Sequence, residues 1–369
     1  MIDSETKERL TDTIALLSIP GIGRGRFNRL VKRFGTPSAA LAASTQDIDA
    51  LPGLSETIAG AIKENYDPAK ARETAARVAQ LGWAVLFPDS AEYPAKLAQI
   101  DDAPPLLFRL GAPPQPHEQM IGVVGTRHAT EPGRRFAYKL GGDLATAGLT
   151  VVSGMAEGID SAAHKGALDR GGLTVAVWGT PLDTVYPPSN KELAKRIAEQ
   201  GAIYSEYLPG METSPSNFPE RNRIISGMAE ATVVIEAGRK SGALITAQCA
   251  LDQGRELFAV PGSPSSDKAE GTNELIKAGA HLLTSVDDLL AELPRLRGPI
   301  SAGQINRTVN LTDTERQLVE ALADGPLQID QLSHKSGLAV NALMEYLLAM
   351  ELKGIVQELP GKRFVLADQ

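Results

Sequence analysis

The chain has 369 residues, of which 43% are hydrophobic and 22% are charged, a composition typical of a globular protein with two or three domains. Its formal net charge of −8 means that any nucleic-acid site must be a local cluster of basic residues. Cys249 is the only cysteine, which excludes an internal disulfide, and the five scattered histidines lack metal-ligand spacing, so we expect no metal site.

The first residues of the chain mix acidic and basic side chains where a secretory signal would need an apolar stretch. No run of about 18 consecutive apolar residues occurs anywhere in the sequence. We therefore expect a cytoplasmic protein without a membrane span.

Residues 1–75 are predicted to form a helical domain of the helix-hairpin-helix or SAM-like kind. Ile19-Pro-Gly-Ile-Gly23 and Leu51-Pro-Gly-Leu-Ser55 each place a Pro-Gly turn between helical stretches, and such turns can offer backbone N–H groups to a phosphate. Several basic residues follow the first turn without an intervening acid: Arg24, Arg26, Arg29, Lys32 and Arg33. These residues could contact a DNA backbone, as a site additional to the one considered below for the central domain. The alternative is that they form a solvated helix face.

Residues 76–293 are predicted to form a doubly wound, Rossmann-like α/β domain. Short apolar strands here alternate with glycine-containing turns and helices: Ile121–Val124, Thr150–Ser153, Thr174–Trp178, Ile203–Ser205, Ala231–Ile235, Glu256–Val260 and His281–Leu283. Apolar runs without alternation indicate strands that are covered on both faces, and hence a parallel sheet between two layers of helices. The apolar segments Trp83–Phe87 and Leu106–Phe108 also need burial, so we interpret the region from about 80 to 118 as an extension of this domain.

The turns after these strands are rich in glycine and small polar residues. Parallel strands end at one edge of the sheet, where ligands bind in folds of this class, and glycines let a phosphate approach the backbone. Glycine can also be present simply because a tight strand-to-helix turn needs it. Five glycine-containing turns at the same edge of the sheet, however, favour a binding site for an anion. The candidate binding residues in these turns are Gly125, Thr126, Arg127, Ser153, Gly154, Arg239, Lys240, Ser241 and Gly242.

The turn after the first of these strands disfavours a dinucleotide cofactor. Gly125-Thr-Arg-His-Ala-Thr130 lacks the second and third glycines of the G-x-G-x-x-G fingerprint, so we predict that no cofactor binds. Arg127 stands where the second glycine would lie. Its guanidinium would crowd a buried pyrophosphate but suits the phosphates of a strand in an open groove.

The segment Phe218-Pro-Glu-Arg-Asn-Arg223 adds an aromatic ring and two arginines at the start of a helix. Basic groups along a backbone, together with a ring on which a base can stack, hold single strands without sequence preference. The candidate DNA contacts in this segment are Phe218, Arg221, Asn222 and Arg223, with a solvated arginine pair as the alternative. The hypothesis requires Arg127 and Arg221 to lie on the same side of the domain.

Residues 294–310 are predicted to form a linker, and residues 311–369 a winged-helix domain of three helices followed by a hairpin. This domain has five basic and nine acidic residues, a net charge of −4, and its third helix carries one basic residue. Phosphate contacts normally supply most of the non-specific affinity for DNA. We therefore expect this domain to have a protein-contact or regulatory role, rather than to bind duplex DNA.

The central part of the sequence resembles the DprA/Smf family of DNA-processing proteins. The motifs that carry the resemblance occur in order between residues 80 and 290: Gly125-Thr-Arg127, Ser153–Asp160 with Ala163-His164, Tyr186-Pro187, Phe218–Gly227, Ser241–Ala247, Gly254–Gly262, Gly271–Asn273 and Leu275-Ile276. The resemblance implies non-enzymatic binding of single-stranded DNA in a pocket containing Arg127, Phe218, Arg221 and Arg223.

The resemblance also implies partners and an assembly. It implies that the protein loads RecA onto strands taken up in natural transformation, with single-stranded DNA-binding protein as a further partner. It implies a homodimer whose interface lies near Leu275, Ile276, Leu282 and Leu283.

Two other functions stay open at this point. A related Rossmann-like group hydrolyses nucleotide bonds with a P-G-G-x-G-T-x-x-E loop, but here Glu236–Thr246 has threonine where that glutamate would act. Asp160 and His164 are one helical turn apart and could form a catalytic dyad, although a capping aspartate and a packed histidine explain them better. The other open function is that of a nucleotide-sensing regulator that acts on transcription through its winged-helix domain. The acidic third helix disfavours this function, because it is poorly suited to binding DNA.

Overall fold

The computed structural model describes residues 3–112, 119–296, 312–322, 325–352, 355–359 and 361–366. Contacts divide the chain into two units, Met1–Asp288 and Leu289–Gln369. The predicted boundary at residue 75 falls within a helix of the first unit. The predicted linker 294–310 lies outside the described residues, except for the short 3-10 helix Pro294–Leu296.

The first unit begins with short helices separated by tight turns. These helices are α1 (Ser4–Leu17), α2 (Arg24–Phe34), α3 (Pro37–Ala42), α4 (Thr45–Asp49), α5 (Glu56–Glu64) and α6 (Pro68–Gln80). Gly21 and Gly53 turn the chain at the two Pro-Gly signals with φ of +84° and +75°, a left-handed conformation that glycine adopts without steric cost. The predicted helical hairpins are therefore confirmed.

Within the described residues, nine strands form one sheet in the order β1-β2-β6-β5-β4-β3-β7-β8-β9. The strands are β1 (Ala84–Leu86), β2 (Leu107–Gly111), β3 (Met120–Val124), β4 (Thr150–Ser153), β5 (Thr174–Val177), β6 (Ala202–Ser205), β7 (Ala231–Val234), β8 (Glu256–Ala259) and β9 (His281–Leu282). Strands β3 to β9 pair in parallel, whereas β2 pairs antiparallel with β6, and β1 antiparallel with β2. The predicted Rossmann-like sheet and its upstream extension are confirmed.

Six helices connect the parallel strands and pack against them, and a seventh follows the last strand. They are α7 (Glu131–Thr146), α8 (Ile159–Asp169), α9 (Lys191–Gln200), α10 (Asn217–Met228), α11 (Gly242–Asp252), α12 (Glu270–Lys277) and α13 (Val286–Glu292). One hydrophobic core joins the N-terminal helices to the sheet through residues such as Phe27, Trp83 and Ile203. A second core includes Ile224 of α10 and Val234 of β7. Strand order reverses between β3 and β7, which places a crevice beside the turns that follow these two strands.

The second unit contains the predicted winged-helix domain. Its helices span Asp313–Leu322, Ile329–Ser336 and Val340–Leu352, and its strands are β10 (Leu327–Gln328), β11 (Val356–Leu359) and β12 (Arg363–Leu366). Leu332, Leu347 and Phe364 belong to its hydrophobic core. The third helix exposes Glu345 and Leu348, side chains that do not attract a phosphate.

None of the helices in the described part of the chain has the length and apolar character needed to cross a membrane.

Candidate nucleic-acid interface

A small pocket opens at the carboxyl ends of β3, β4 and β5, with a cavity volume of about 60 Å³. Its lining comes from segments that are far apart in the sequence: Arg127, Gly154, Ala156, Glu157, Trp178, Gly179, Thr180, Tyr186, Pro187, Phe218 and Arg221. The fold thus brings together four of the candidate residues, Arg127, Gly154, Phe218 and Arg221. They meet because parallel strands end at the same edge of the sheet.

The rim of the pocket presents one cation beside two aromatic rings. Arg127 is exposed, and its Cζ lies 5.4 Å from the centroid of the half-buried Phe218 ring, within the range of a cation–π interaction. The Phe218 and Tyr186 centroids are 4.9 Å apart, and Tyr186 is 43% exposed. Sequence reasoning did not select Tyr186 as a contact, although the Tyr186-Pro187 motif was a signal that could have found it.

Arg221 lies beneath this rim and is only 5% exposed. Its Nη1 donates a hydrogen bond to the carbonyl oxygen of Val177. A Cβ atom at position 154 would lie 2.4 Å from that nitrogen, so the turn after β4 needs Gly154 for the guanidinium to pass. Burial lowers the pKa of Arg221 to about 10, against the opposing effect of Asp160, so the side chain stays charged at neutral pH.

Asp160 is a buried carboxylate that holds the turn below the pocket. Its Oδ2 accepts hydrogen bonds from the backbone N–H groups of Gly154 at 3.1 Å and Ala156 at 3.4 Å. Burial raises the pKa of this carboxyl, while the charge of Arg221 and these hydrogen bonds act in the opposite direction. Asp160 therefore fixes the β4–α8 turn and offsets the charge of Arg221.

His164 is fully buried and bonds to Thr174 rather than to Asp160. Its Nδ1 lies 2.6 Å from Thr174 Oγ1, and that hydroxyl donates to the carbonyl oxygen of Val151. Because the hydroxyl has one proton to give, His164 Nδ1 carries the proton in its own bond. Burial, reinforced by the charge of Arg221, lowers the pKa of His164 to about 3, so the ring is neutral. This geometry supports a packed histidine over a catalytic dyad.

The low pKa of His164 gives a testable dependence of stability on pH. In the unfolded chain a histidine takes up a proton near pH 6.5, whereas folded His164 does so only near pH 3. The stability from neutral His164 is therefore present above about pH 6.5 and is lost as the pH falls towards 3. We expect His164→Gln to show a shallower decline in the free energy of unfolding over this range, measured by urea titration.

The exposed His128 supplies the matched control for this measurement. His128→Gln should keep the wild-type decline. A His164→Gln variant that declined as steeply as the wild type would contradict the assignment.

Gly125, Thr126 and Ser153 shape the turns at the pocket edge. Ser153 Oγ donates to the carbonyl oxygen of Val123 at 2.6 Å. The backbone N–H of Thr126 donates to the carbonyl oxygen of Glu236 at 2.7 Å. Neither Ser153 nor Gly125 has a side chain that is free to reach a ligand, because the serine hydroxyl is bonded and the glycine has none. Any contact from Gly125 to DNA would therefore come from its backbone.

Arg239 and Lys240 lie in the exposed turn after β7, on the other side of the strand-order reversal. Arg239 Nε is 3.1 Å from Glu270 Oε2, but the arginine side chain is 75% exposed, so the pair is weak. The other candidates here are structural in their contacts: Ser241 caps α11, and Asn222 Nδ2 donates to the carbonyl oxygen of Gly242 at 3.3 Å.

Arg223 does not line the pocket, which corrects the sequence interpretation. Its Nη2 lies 2.7 Å from Glu206 Oε2, its Nε lies 3.0 Å from Asp102 Oδ2, and the residue is 5% exposed. Residues two positions apart on a helix point towards different faces. Helix α10 therefore directs Arg221 to the pocket and Arg223 to a buried ion-pair cluster.

Three arginines of α2, Arg24, Arg26 and Arg29, bond to other groups of the protein, whereas Lys32 and Arg33 are exposed. Arg24 Nη1 lies 3.3 Å from Glu206 Oε1 and 3.1 Å from Glu220 Oε2, which ties the N-terminal helices to the central domain. Arg26 Nη1 and Arg29 Nη1 donate to carbonyl oxygens of the two Pro-Gly turns at 2.6 and 2.5 Å. The guanidinium groups of these three candidate DNA contacts hold the helical hairpins in place, so they are neither free to meet a phosphate nor merely solvated.

Two larger cavities, of about 750 and 1080 Å³, lie where the N-terminal helices meet the central domain. Acidic residues outnumber basic ones in both linings, and the arginines among them already pair with acids, Arg9 with Asp89 and Arg24 with Glu206. Such linings repel a phosphate. The smaller pocket at the strand ends is the better nucleic-acid candidate.

The four leucine and isoleucine residues expected at a dimer interface differ in their exposure. Leu283 is fully buried within the chain, so it has no surface to offer to another molecule, which corrects that part of the expectation. Leu282 is 50% exposed, and Leu275 and Ile276 are half-buried. Leu283 directly follows β9, and its backbone N–H still donates to the carbonyl oxygen of Ala259, so the alternation of the strand turns its side chain to the face opposite that of Leu282.

Three protein-family models match the chain in the order of its predicted domains. The SAM-like helix-hairpin-helix tandem matches residues 13–65, DNA recombination-mediator protein A matches residues 84–294, and the DprA winged helix domain matches residues 306–362.

Similar proteins cover most of the chain. The chain is 36% identical to protein Smf of Synechocystis over 76% of this chain and 79% of the relative. It is 44% identical to DNA processing protein DprA of Streptococcus pneumoniae over 54% of this chain and 71% of the relative.

Solved structures give the same result. The X-ray structure of the S. pneumoniae DNA processing protein A has a TM-score of 0.63 and 34% identity, and covers 76% of this chain and 97% of its own. A Helicobacter pylori DNA processing protein A, solved for its single-stranded DNA binding mode, has a TM-score of 0.53 and 26% identity, and covers 58% and 97%. The chain therefore belongs to the DNA recombination-mediator protein A family, the DprA/Smf family that the sequence motifs resemble.

Proposed function

We propose that this chain binds single-stranded DNA across the pocket rim formed by Arg127, Phe218 and Tyr186, and that it does so without catalysis, in the cytoplasm. The observation that carries this proposal is the exposed guanidinium 5.4 Å from one of two adjoining aromatic rings. The cation attracts a phosphate, and the rings offer a surface on which a base can stack. The single-stranded DNA binding mode of the H. pylori relative supports the same assignment.

The size of the pocket favours a polymer over an enclosed nucleotide. Its volume of about 60 Å³ is far below the roughly 300–1,000 Å³ of pockets that enclose small ligands. A strand that lies over the rim, with one base on the rings and a phosphate at Arg127, needs no such enclosure. This argument favours DNA binding over both nucleotide sensing and nucleotide hydrolysis.

The strand would continue from the rim towards the turn after β7. Thr126, next to Arg127, is bonded through its backbone N–H to Glu236 at the start of that turn, so the two turns are neighbours. Arg239 and Lys240 are exposed in the β7 turn and supply further positive charge for phosphates. They complete the proposed interface, with Gly125 and Gly242 as points of close backbone approach.

Replacing Phe218 with alanine should weaken the binding of a fluorescent dT oligomer by about 1–3 kcal/mol, the usual contribution of one stacked base. The measurement is a fluorescence anisotropy titration. Phe34 is the matched control, because it is also half-buried and carries an arginine, Arg33, 5.8 Å from its ring centroid. Phe34→Ala should keep wild-type affinity, and wild-type affinity in Phe218→Ala would assign that ring to the core instead.

The absence of catalysis is tested by incubating the protein with nucleoside monophosphates and measuring free base. The buried, neutral His164 bonded to Thr174 favours no release. Release of base that disappears in Asp160→Ala would overturn the non-enzymatic proposal.

Family membership further supports a role in passing the bound strand to RecA, by a homodimer that uses Leu282 together with Leu275 and Ile276. The test is RecA filament formation on DNA coated with single-stranded DNA-binding protein. Addition of this chain should shorten the lag before filaments form, and an unchanged lag would remove RecA loading from the proposal. Analytical ultracentrifugation should give a dimer for the wild type and more monomer for Leu282→Glu.

A further inference from the structure

Two buried hydrogen-bond donors of the pocket have no partner in the described part of the chain. Trp178 is 3% exposed and Arg221 is 5% exposed, and both side chains line the pocket. Among the residues that the structure describes, Trp178 Nε1 and Arg221 Nε lack a hydrogen-bond acceptor. Buried donors are nearly always satisfied, because leaving one unpaired costs free energy. The pocket floor is therefore suited to an acceptor that comes from a ligand.

The charges around the floor favour a neutral acceptor over a phosphate. The charge of Arg221 is offset by the buried carboxylate of Asp160. Glu157 also lines the pocket, and Ser189 Oγ donates to its Oε1 at 2.7 Å, so a second carboxylate is held at the opening. A phosphate would be repelled there, and it meets the exposed Arg127 at the rim instead.

The size of the floor restricts which acceptor can enter. A cavity of about 60 Å³ admits the edge of a base, while the ring itself stays against Tyr186 and Phe218. Thymine carries carbonyl oxygens on its edges, and each has two lone pairs, whereas adenine has no carbonyl and its acceptors are ring nitrogens with one lone pair each. Two donors that converge at the floor therefore match one thymine carbonyl oxygen, whereas a single ring nitrogen of adenine can accept from only one of them.

We propose, on the basis of the single-stranded DNA binding proposed above, that Trp178 determines base preference. Its indole N–H, together with Arg221 Nε, donates to a carbonyl oxygen of the base that stacks on Tyr186 and Phe218. The site then prefers thymine over adenine at one position of an otherwise sequence-tolerant strand.

The first test compares dT and dA oligomers of equal length in three proteins: the wild type, Trp178→Phe and Trp83→Phe. Trp83→Phe is the matched control, since Trp83 is about as buried and belongs to the same hydrophobic core as Trp178, but packs on Phe108 at 5.4 Å and does not line the pocket. Because dA strands stack on themselves, the dT-to-dA affinity ratio is compared between proteins. We expect Trp178→Phe to lower this ratio roughly three- to tenfold, through loss of dT affinity alone. Trp83→Phe should keep the wild-type ratio.

A second measurement does not depend on how well Trp178→Phe folds. The chain has two tryptophans, so ¹⁵N-labelled indoles give two N–H signals, and Trp83→Phe identifies the signal of Trp178. A dT oligomer should move that signal downfield as the N–H gains an acceptor. A dA oligomer should leave it near its free position.

The outcomes separate this inference from the function on which it rests. If neither oligomer binds the wild type, the proposed DNA binding fails. If both bind, but Trp178→Phe keeps the wild-type ratio or the Trp178 signal does not respond to dT, base reading by Trp178 is overturned while DNA binding stands.

Discussion

An Arg127→Ala variant should bind dT oligomers roughly 10- to 150-fold more weakly than the wild type, as expected for the loss of one hydrogen bond to a charged group. The exposed guanidinium supplies positive charge at the pocket rim, next to the Phe218 ring. Its loss should also reduce the slope of log affinity against log salt concentration by about 0.7 for each phosphate contact removed. Anisotropy titrations at several salt concentrations measure both effects.

Arg29→Ala is the control for charge alone, because Arg29 is exposed but donates to the Pro52 carbonyl oxygen within the N-terminal helices. This variant should retain the wild-type salt slope. An unchanged slope in Arg127→Ala would exclude Arg127 from the interface. A reduced salt slope in Arg29→Ala would show that the N-terminal arginines do contact DNA.

Replacing Asp160 with alanine should lower the free energy of unfolding by roughly 1–3 kcal/mol, because buried groups lose a partner, including the negative charge that favours the charged form of Arg221. The variant also removes the acceptor for the backbone N–H groups of Gly154 and Ala156. Urea titration measures the loss of stability. The β4–α8 turn should loosen as well, so dT binding should weaken even where the protein remains folded.

Asp169→Ala provides the comparison on the same helix. Asp169 pairs with Arg196 at 2.6 Å, but both side chains are more than a third exposed, so its removal should cost only about 0–1 kcal/mol. If Asp160→Ala cost no more than Asp169→Ala, the stability of buried Arg221 would not depend on Asp160.

The sheet and the site could be predicted in outline because both follow from local patterns. Unbroken apolar runs indicated the strands from Ile121 onwards, and the carboxyl ends of parallel strands necessarily share one edge. That reasoning places the Arg127 turn near the Gly154 turn without any structure. An apolar run shows that a segment must be buried, but it does not show in which direction the strand runs. The antiparallel pairing of β2 with β6 could therefore not be predicted.

The side-chain partners could not be predicted, because they come from distant parts of the chain. Nothing near Arg24 indicates that Glu206 and Glu220 will pair with it. Arg221 and Arg223 are chemically identical in the sequence, and only the packing of α10 distinguishes the pocket arginine from the one held by Glu206. A cluster of basic residues in a sequence therefore overstates the charge that is free to meet a phosphate.

The short strands at both ends of the central sheet limit how two copies of this protein could join. β1 has three residues and β9 has two, so each edge offers very few main-chain groups for pairing with another molecule. A homodimer at the β9 end would have to be assembled from side chains such as Leu282 rather than by extending the sheet. Edges this short also give other molecules little to pair with, so they protect the protein against the edge-to-edge aggregation that long unpaired strands invite.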